Sequence, residues 1–172
     1  SGDVVALIGD FDPQSILTLL QLIDKNVILV PLTVDTRAQH EYFFEAALVD
    51  IVIEGDEVKR ISHSRKHEFI ESLRSKNHAG LVLFSTGTTG RPKAILHDLT
   101  LFMQRFETPR PTLKTINFLL FDHWGGLNTM LHTLSNGGVV LTVQNRTPNG
   151  VCEFIEKHKV EVLPTSPTFL NL

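Results

Sequence analysis

The sequence predicts an α/β fold of layered, mostly parallel β-sheets with flanking helices. Two observations carry this prediction. Short apolar runs of strand length alternate with segments whose apolar residues recur at helical spacing. Their order, strand–helix–strand–helix–strand, is the sign of right-handed parallel crossovers. With 172 residues, 42% of them hydrophobic, the chain has enough apolar surface for about one domain with a real core.

Val4 to Ile8 reads as an apolar strand closed by the turn Gly9-Asp10. Asp12-Pro13 supplies an N-cap and a proline at the first helical position. Ile16, Leu19, Leu20 and Ile23 then fall on one helical face. Lys25-Asn26 ends that helix, asparagine being able to adopt the left-handed conformation. Val27 to Val30 is the next strand, ending at Pro31. Thr36 is expected to cap a helix to about Ala47, and Ile51 to Ile53 forms a third strand. Gly55-Asp56 reads as a hairpin turn into a short edge strand, Val58 to Ile61.

A charged amphipathic helix from Lys66 to Lys76 leads to Gly80. His63 and His67 stand four apart beside Glu68, a spacing able to hold a metal. No apolar residues shelter them, so a solvated helix start is expected and no metal ligands are assigned.

Leu81 to Phe84 is a short buried-type strand. It empties into Ser85-Thr86-Gly87-Thr88-Thr89-Gly90, followed by Arg91-Pro92-Lys93. Glycines let backbone N–H groups approach an anion, hydroxyls add donors that rotate to fit, and an ammonium adds a point charge. This composition suits phosphate. The lysine position differs from a Walker loop, and the glycine spacing differs from a dinucleotide fingerprint. A plain Ser/Thr/Gly-rich turn is the alternative.

After the loop come a brief strand, Ala94 to Leu96, and a helix from Leu99 to about Phe106 capped by Asp98. His97 lies near the expected phosphates and could contact them, but a histidine at a helix start is more often structural. Residues 108–115 form a loop. Ile116 to Phe121 is a strand that ends in Asp122-His123-Trp124-Gly125-Gly126. Side chains at the carboxyl end of a parallel strand face the ligand crevice. His123 and Trp124 would give it a wall, and Gly125-Gly126 would leave room for substrate. A core histidine without a ligand is the alternative there. A helix from Asn128 to Leu134, a strand from Val139 to Val143, a helix from Pro148 to Lys157 and a strand from Val160 to Leu163 complete the chain. Thr168 to Leu172 begins one more helix.

Charge is nearly balanced at −3 with no basic block, which argues against nucleic acid. No apolar run reaches the roughly 20 residues needed to span a bilayer. Cys152 is the single cysteine, so an internal disulfide is excluded and a cytoplasmic location is expected. Cys152 itself is expected to be a packing residue.

The run Phe84 to Lys93 closely resembles the signature of the adenylate-forming enzymes: acyl- and aryl-CoA synthetases, luciferases and peptide-synthetase adenylation domains. Ala94 stands where that signature has glycine. Leu22 to Leu32 resembles the family's passage into Val-Pro-Leu, and His123 to Gly126 matches its His-x-x-Gly element. The resemblance covers nearly the whole chain, most strongly residues 81–127 and 160–172.

The resemblance implies ATP and Mg²⁺ as cofactors, a small carboxylic acid as substrate, an acyl-adenylate, and transfer to a thiol such as coenzyme A. Ser85, Thr86, Gly87, Thr88, Thr89, Gly90 and Lys93 would hold the polyphosphate. Lys93 and His123 would be catalytic, and His123, Trp124, Gly125 and Gly126 would face the acid. An amino-acid adenylation domain, with Asp122 paired to an ammonium, and a non-catalytic scaffold are the alternatives.

The family's Tyr-x-x-Thr-Glu element, ribose aspartate, hinge and C-terminal domain are not found. The chain is therefore expected to be part of the large N-terminal domain, with one βα half before about residue 79 and a second, residues 80–172, carrying the loop. Alone it should bind polyphosphate weakly without turnover. It relies on the rest of its parent polypeptide, and exposed edges could drive it to self-associate.

Overall fold

The computed structural model describes residues 2–85 and 90–171. They form two compact units, residues 1–104 and 105–172. The strand before the loop, Gly80–Ser85, lies in the sheet of the first unit.

In the first unit the strands are β1 (Val4–Ile8), β2 (Ile28–Leu32), β3 (Ile51–Glu54), β4 (Glu57–Arg60), β5 (Gly80–Ser85) and β6 (Lys93–Asp98). They make one six-stranded sheet in the order β4-β3-β1-β2-β5-β6. β1, β2, β3 and β5 are parallel, whereas β4 and β6 are antiparallel strands at the two edges. All five residues of β1 are buried, which explains an unbroken apolar run in place of alternation.

Even-numbered positions of the central strands (Val4, Ala6, Ile8, Val30, Val82) pack on Phe43 and Ala47 of α2 (His40–Ala47) and on Ile70 and Leu73 of α3 (Glu68–Lys76). Odd-numbered Val5, Leu7, Leu29 and Leu81 are as deeply buried on the other face. The crossover from β1 to β2 through α1 (Pro13–Asp24) runs in the direction opposite to that from β2 to β3 through α2. Right-handed crossovers then place α1 and α2 on opposite faces.

Local chemistry sets most helix ends. Asp12 accepts from the N–H groups of Gln14 at 2.9 Å and Ser15 at 3.0 Å, with Pro13 opening α1. Asn26 takes a left-handed φ of 52° and lets the chain turn into β2. Pro31 lies inside β2, one residue later than a strand ending at Val30 would allow. The ladder with β5 covers only Ile28 and Leu29, so the proline falls past its end.

Thr36 does not cap the second helix. Residues 34–39 form a 3₁₀ turn, and the Thr36 hydroxyl donates back to the Thr33 carbonyl at 3.0 Å. A side chain so engaged serves a turn, and α2 starts later, at His40. His67 is the N-cap of α3, its Nδ1 accepting from the Phe69 N–H at 3.3 Å. His63 is bonded elsewhere, to the Leu48 carbonyl at 3.1 Å. α4 (Leu99–Met103) follows β6, with the Asp98 carboxylate accepting from the Leu101 N–H at 3.0 Å.

The second unit has a two-stranded parallel sheet of β7 (Lys114–Asn117) and β8 (Val139–Thr142). Val162 adds a single parallel bridge to Thr115, where a strand from Val160 to Leu163 was expected. β7 starts and ends earlier than Ile116 to Phe121. Its ladder stops where Asn117 meets Thr142, and residues 118–123 leave the sheet. Phe118 and Phe121 are still buried, so this apolar run packs without being a strand.

The helices are α5 (Trp124–Ser135), α6 (Pro148–His158) and the short α7 (Pro167–Leu170). Ile116, Phe118, Val143 and Val151 form the centre of this unit's core. Cys152 on α6 is exposed, contrary to its expected packing role, because Val151 takes the buried position beside it. Among the described residues, no helix is long and apolar enough to cross a membrane.

Candidate functional site: a hairpin loop and a helix start

The Ser/Thr/Gly loop joins β5 to β6, so it caps an antiparallel hairpin. The register pairs Ser85 with Lys93, which sets the last residue before the loop opposite the expected phosphate lysine. Thr86, Gly87, Thr88 and Thr89 lie outside the described residues. Gly90 has a φ of +97°, a conformation that a side chain would strain. A Cβ built there meets nothing within 4 Å, so this part of the loop is open. Lys93 is exposed.

Neighbouring elements hold the hairpin's arms. Phe84 stacks on Phe43 with ring centroids 4.0 Å apart. On the other arm, the Pro92 carbonyl accepts a hydrogen bond from the Tyr42 hydroxyl at 2.7 Å. The Arg91 guanidinium lies 5.6 Å from the centroid of the same Tyr42 ring.

His97 is not at the loop. It pairs with Leu81, four positions back along β6 from Lys93, or roughly 13 Å at strand rise. Burial pushes its imidazole below the ordinary histidine value. Asp98 beside it is bonded to His78 Nδ1 at 2.8 Å. Burial would raise the Asp98 carboxyl, but the bonds from His78 and the Leu101 N–H hold it below the usual carboxylate range.

The second candidate group gathers at the start of α5. His123 is its N-cap residue, in extended conformation. Its Nδ1 lies 2.7 Å from Asp122 Oδ1. The Asp122 side chain is 11% exposed and that of His123 56%, so the carboxylate sits inward of the ring. Trp124, Gly125 and Gly126 form the first turn of the helix, where a crevice wall followed by a later helix was expected.

The first turn of α5 packs beside the segment that follows β7. A Cβ on Gly125 would stand 3.4 Å from Leu119, and the Gly126 carbonyl accepts from the buried Asn117 Nδ2 at 3.0 Å. Asn117 was missed by sequence reasoning. Its signal is a polar residue directly after the apolar Ile116, and its Oδ1 is buried without a hydrogen-bond partner among the described residues.

Ser85, Gly90 and Lys93 thus belong to the first unit, and His123 to Gly126 to the second. Among the described residues, no group of three His, Cys, Asp or Glu could hold a metal.

The family model described as AMP-binding enzyme matches residues 1–172. The chain belongs to the AMP-binding enzyme family.

Surfactin synthase subunit 2 of Bacillus subtilis (strain 168) is 20% identical to this AMP-binding chain in an alignment covering 98% of the chain and 5% of that protein. The N-terminal subdomain of Klebsiella oxytoca NpsA in complex with 3-hydroxyanthranilyl-AMSN has a similar fold. Its TM-score is 0.74 at 17% identity, covering 95% of this chain and 46% of that one. The o-succinylbenzoate CoA synthetase MenE from Bacillus subtilis, in complex with the acyl-adenylate intermediate OSB-AMP, gives 0.72 at 15% identity, covering 99% and 51%. This AMP-binding chain therefore spans about half the length of these solved structures.

Proposed function

We propose that this chain supplies the polyphosphate loop and the acid-facing helix start of an enzyme that uses ATP to activate a carboxylic acid. The substrate carboxylate attacks the α-phosphorus, a bond forms between its oxygen and that phosphorus, and the bond from the phosphorus to pyrophosphate breaks. A thiol sulfur then attacks the acyl carbon and AMP leaves. Coenzyme A is our first assignment for that thiol. The rest of the parent polypeptide completes the site, and a cytoplasmic location is proposed with it.

The observation that carries this reading is the Ser85–Lys93 pair at the base of the glycine-bearing loop. Lys93 would neutralise polyphosphate charge while Ser85, Thr86, Thr88 and Thr89 donate to its oxygens and Gly87 and Gly90 shape the loop. Mg²⁺, were it bound with the nucleotide, would supply further charge neutralisation. His123 would meet the acid's carboxylate. Only a doubly protonated ring would donate both Nδ1–H to Asp122 and Nε2–H to that carboxylate.

An amino acid as the substrate is the second reading. The Asp122 carboxylate supports it, as an anion that would pair with an ammonium. The surfactin synthase relative is consistent with it.

Carboxylate-dependent ATP–pyrophosphate exchange on the full-length protein, with fatty, aromatic and amino acids in parallel, separates the two. Lys93→Ala should lower exchange at least about tenfold, one charge-assisted contact being worth roughly 1.5–3 kcal/mol. Unchanged exchange in that variant would remove the phosphate assignment.

A further inference from the structure

Tyr42 and Phe43 are consecutive on α2, so their side chains leave the helix about 100° apart and reach different objects. Phe43 reaches the arm that enters the loop, where its ring lies over Phe84 with planes 24° apart. Tyr42 reaches the arm that leaves the loop, across 50 residues of sequence, to the Pro92 carbonyl. One helix turn thus grips both sides of the hairpin.

The grip on the leaving arm bears on Lys93. Proline has no N–H of its own, so Pro92 cannot donate to the β5 ladder. The Pro92–Lys93 peptide is planar, and holding its oxygen fixes the direction in which the Lys93 backbone continues. The Arg91 guanidinium rests over the Tyr42 ring, which seats a second cation at the rim of the loop.

We propose that Tyr42 is a positioning residue for the polyphosphate loop. Its hydroxyl orients the peptide that carries Lys93, and its ring seats Arg91 beside it. This rests on the polyphosphate reading of the loop given above. Pre-organising the arm lowers the ordering cost of binding, so the benefit falls on the nucleotide and not on the acid.

The test is Tyr42→Phe in the full-length protein, which keeps the ring over Arg91 and removes only the hydroxyl. The KM for ATP should rise about fivefold to tenfold, as one neutral hydrogen bond is worth. The KM for the acid should stay within about twofold, and the thermal midpoint should fall by no more than about 4 °C. An unchanged KM for ATP overturns the proposal. So does a parallel rise for ATP and acid with a large loss of thermal stability, which would mark a merely structural role.

Lys93→Ala is measured alongside. No effect there removes the polyphosphate reading itself, whereas an effect there with none in Tyr42→Phe removes only the role of Tyr42. Should Tyr42→Phe fail to fold, a fluorinated tyrosine at position 42 preserves the hydroxyl. Its fluorine resonance should shift on adding pyrophosphate and should not shift in the Lys93→Ala background. A resonance indifferent to pyrophosphate overturns the proposal.

Discussion

His97 shows how burial alone sets a residue's behaviour. Its imidazole is held below the ordinary histidine value of 6.5, so the unfolded chain takes up a proton before the folded one does. The contribution to stability is complete above about pH 6.5 and is lost as pH falls from there toward the folded value. Urea unfolding at about pH 7.5 and about pH 5.5 should show a smaller decrease for His97→Asn than for the unaltered protein.

Residues whose partners are close in sequence were legible from sequence: Asp12, Asn26 and Asp98 each act within three positions of themselves. Tyr42 was not, because its partner Pro92 lies 50 positions away. Asn117 bonds nine positions along, across the bend into α5. Nothing in residues 118–123 marks how sharply the chain returns. Cys152 was misread because a helix of mixed composition leaves open which of two neighbours, Val151 or Cys152, faces the core.

At the scale of elements, period and caps located nearly every helix and strand, and errors gathered at their ends. α2 begins late because Thr36 satisfies a turn, and α5 begins early because glycine is tolerated in a first turn whose N–H groups have no intrahelical acceptor. The segment Val160 to Leu163 has strand composition but makes one bridge. Ladder length depends on a neighbour's extent, which no local pattern states.

The turn after α5 offers a sharp test of packing. A Cβ on Gly138 would stand 2.7 Å from the Leu113 carbonyl oxygen and 2.9 Å from that of Thr133. Backbone atoms cannot yield as a side-chain tip can. Gly138→Ala should therefore destabilise by about 1–3 kcal/mol, read as a lower urea midpoint with an unchanged slope. Gly90→Ala meets no such obstruction, and only its φ of +97° opposes it.

For the molecule as a whole, the α/β class followed from strand–helix alternation. Which sheet the strand Leu81 to Phe84 belongs to is a matter of long-range pairing. Its pairing with β2 at Ile28 and Leu29 assigns it to the first sheet. Charge is a whole-molecule property of another kind. The chain carries −3 at pH 7 and eight histidines, with a sequence pI near 6.2. Mild acidification protonates imidazoles and cancels that charge, so solubility should pass through a minimum near pH 6.2. Light scattering across a pH series at constant salt reads this directly.

The hairpin of β5 and β6 has six residue pairs, yet it is rooted in the parallel sheet by two. Mechanically it is a cantilever: a stiff arm on a short foot. Load applied at the Lys93 tip is delivered to the foot at Gly80, where a Cβ would stand 2.8 Å from Leu73 and 2.9 Å from Ile28. So tight a socket leaves little play at the base, and nearer the loop Phe43 and Tyr42 brace the two arms.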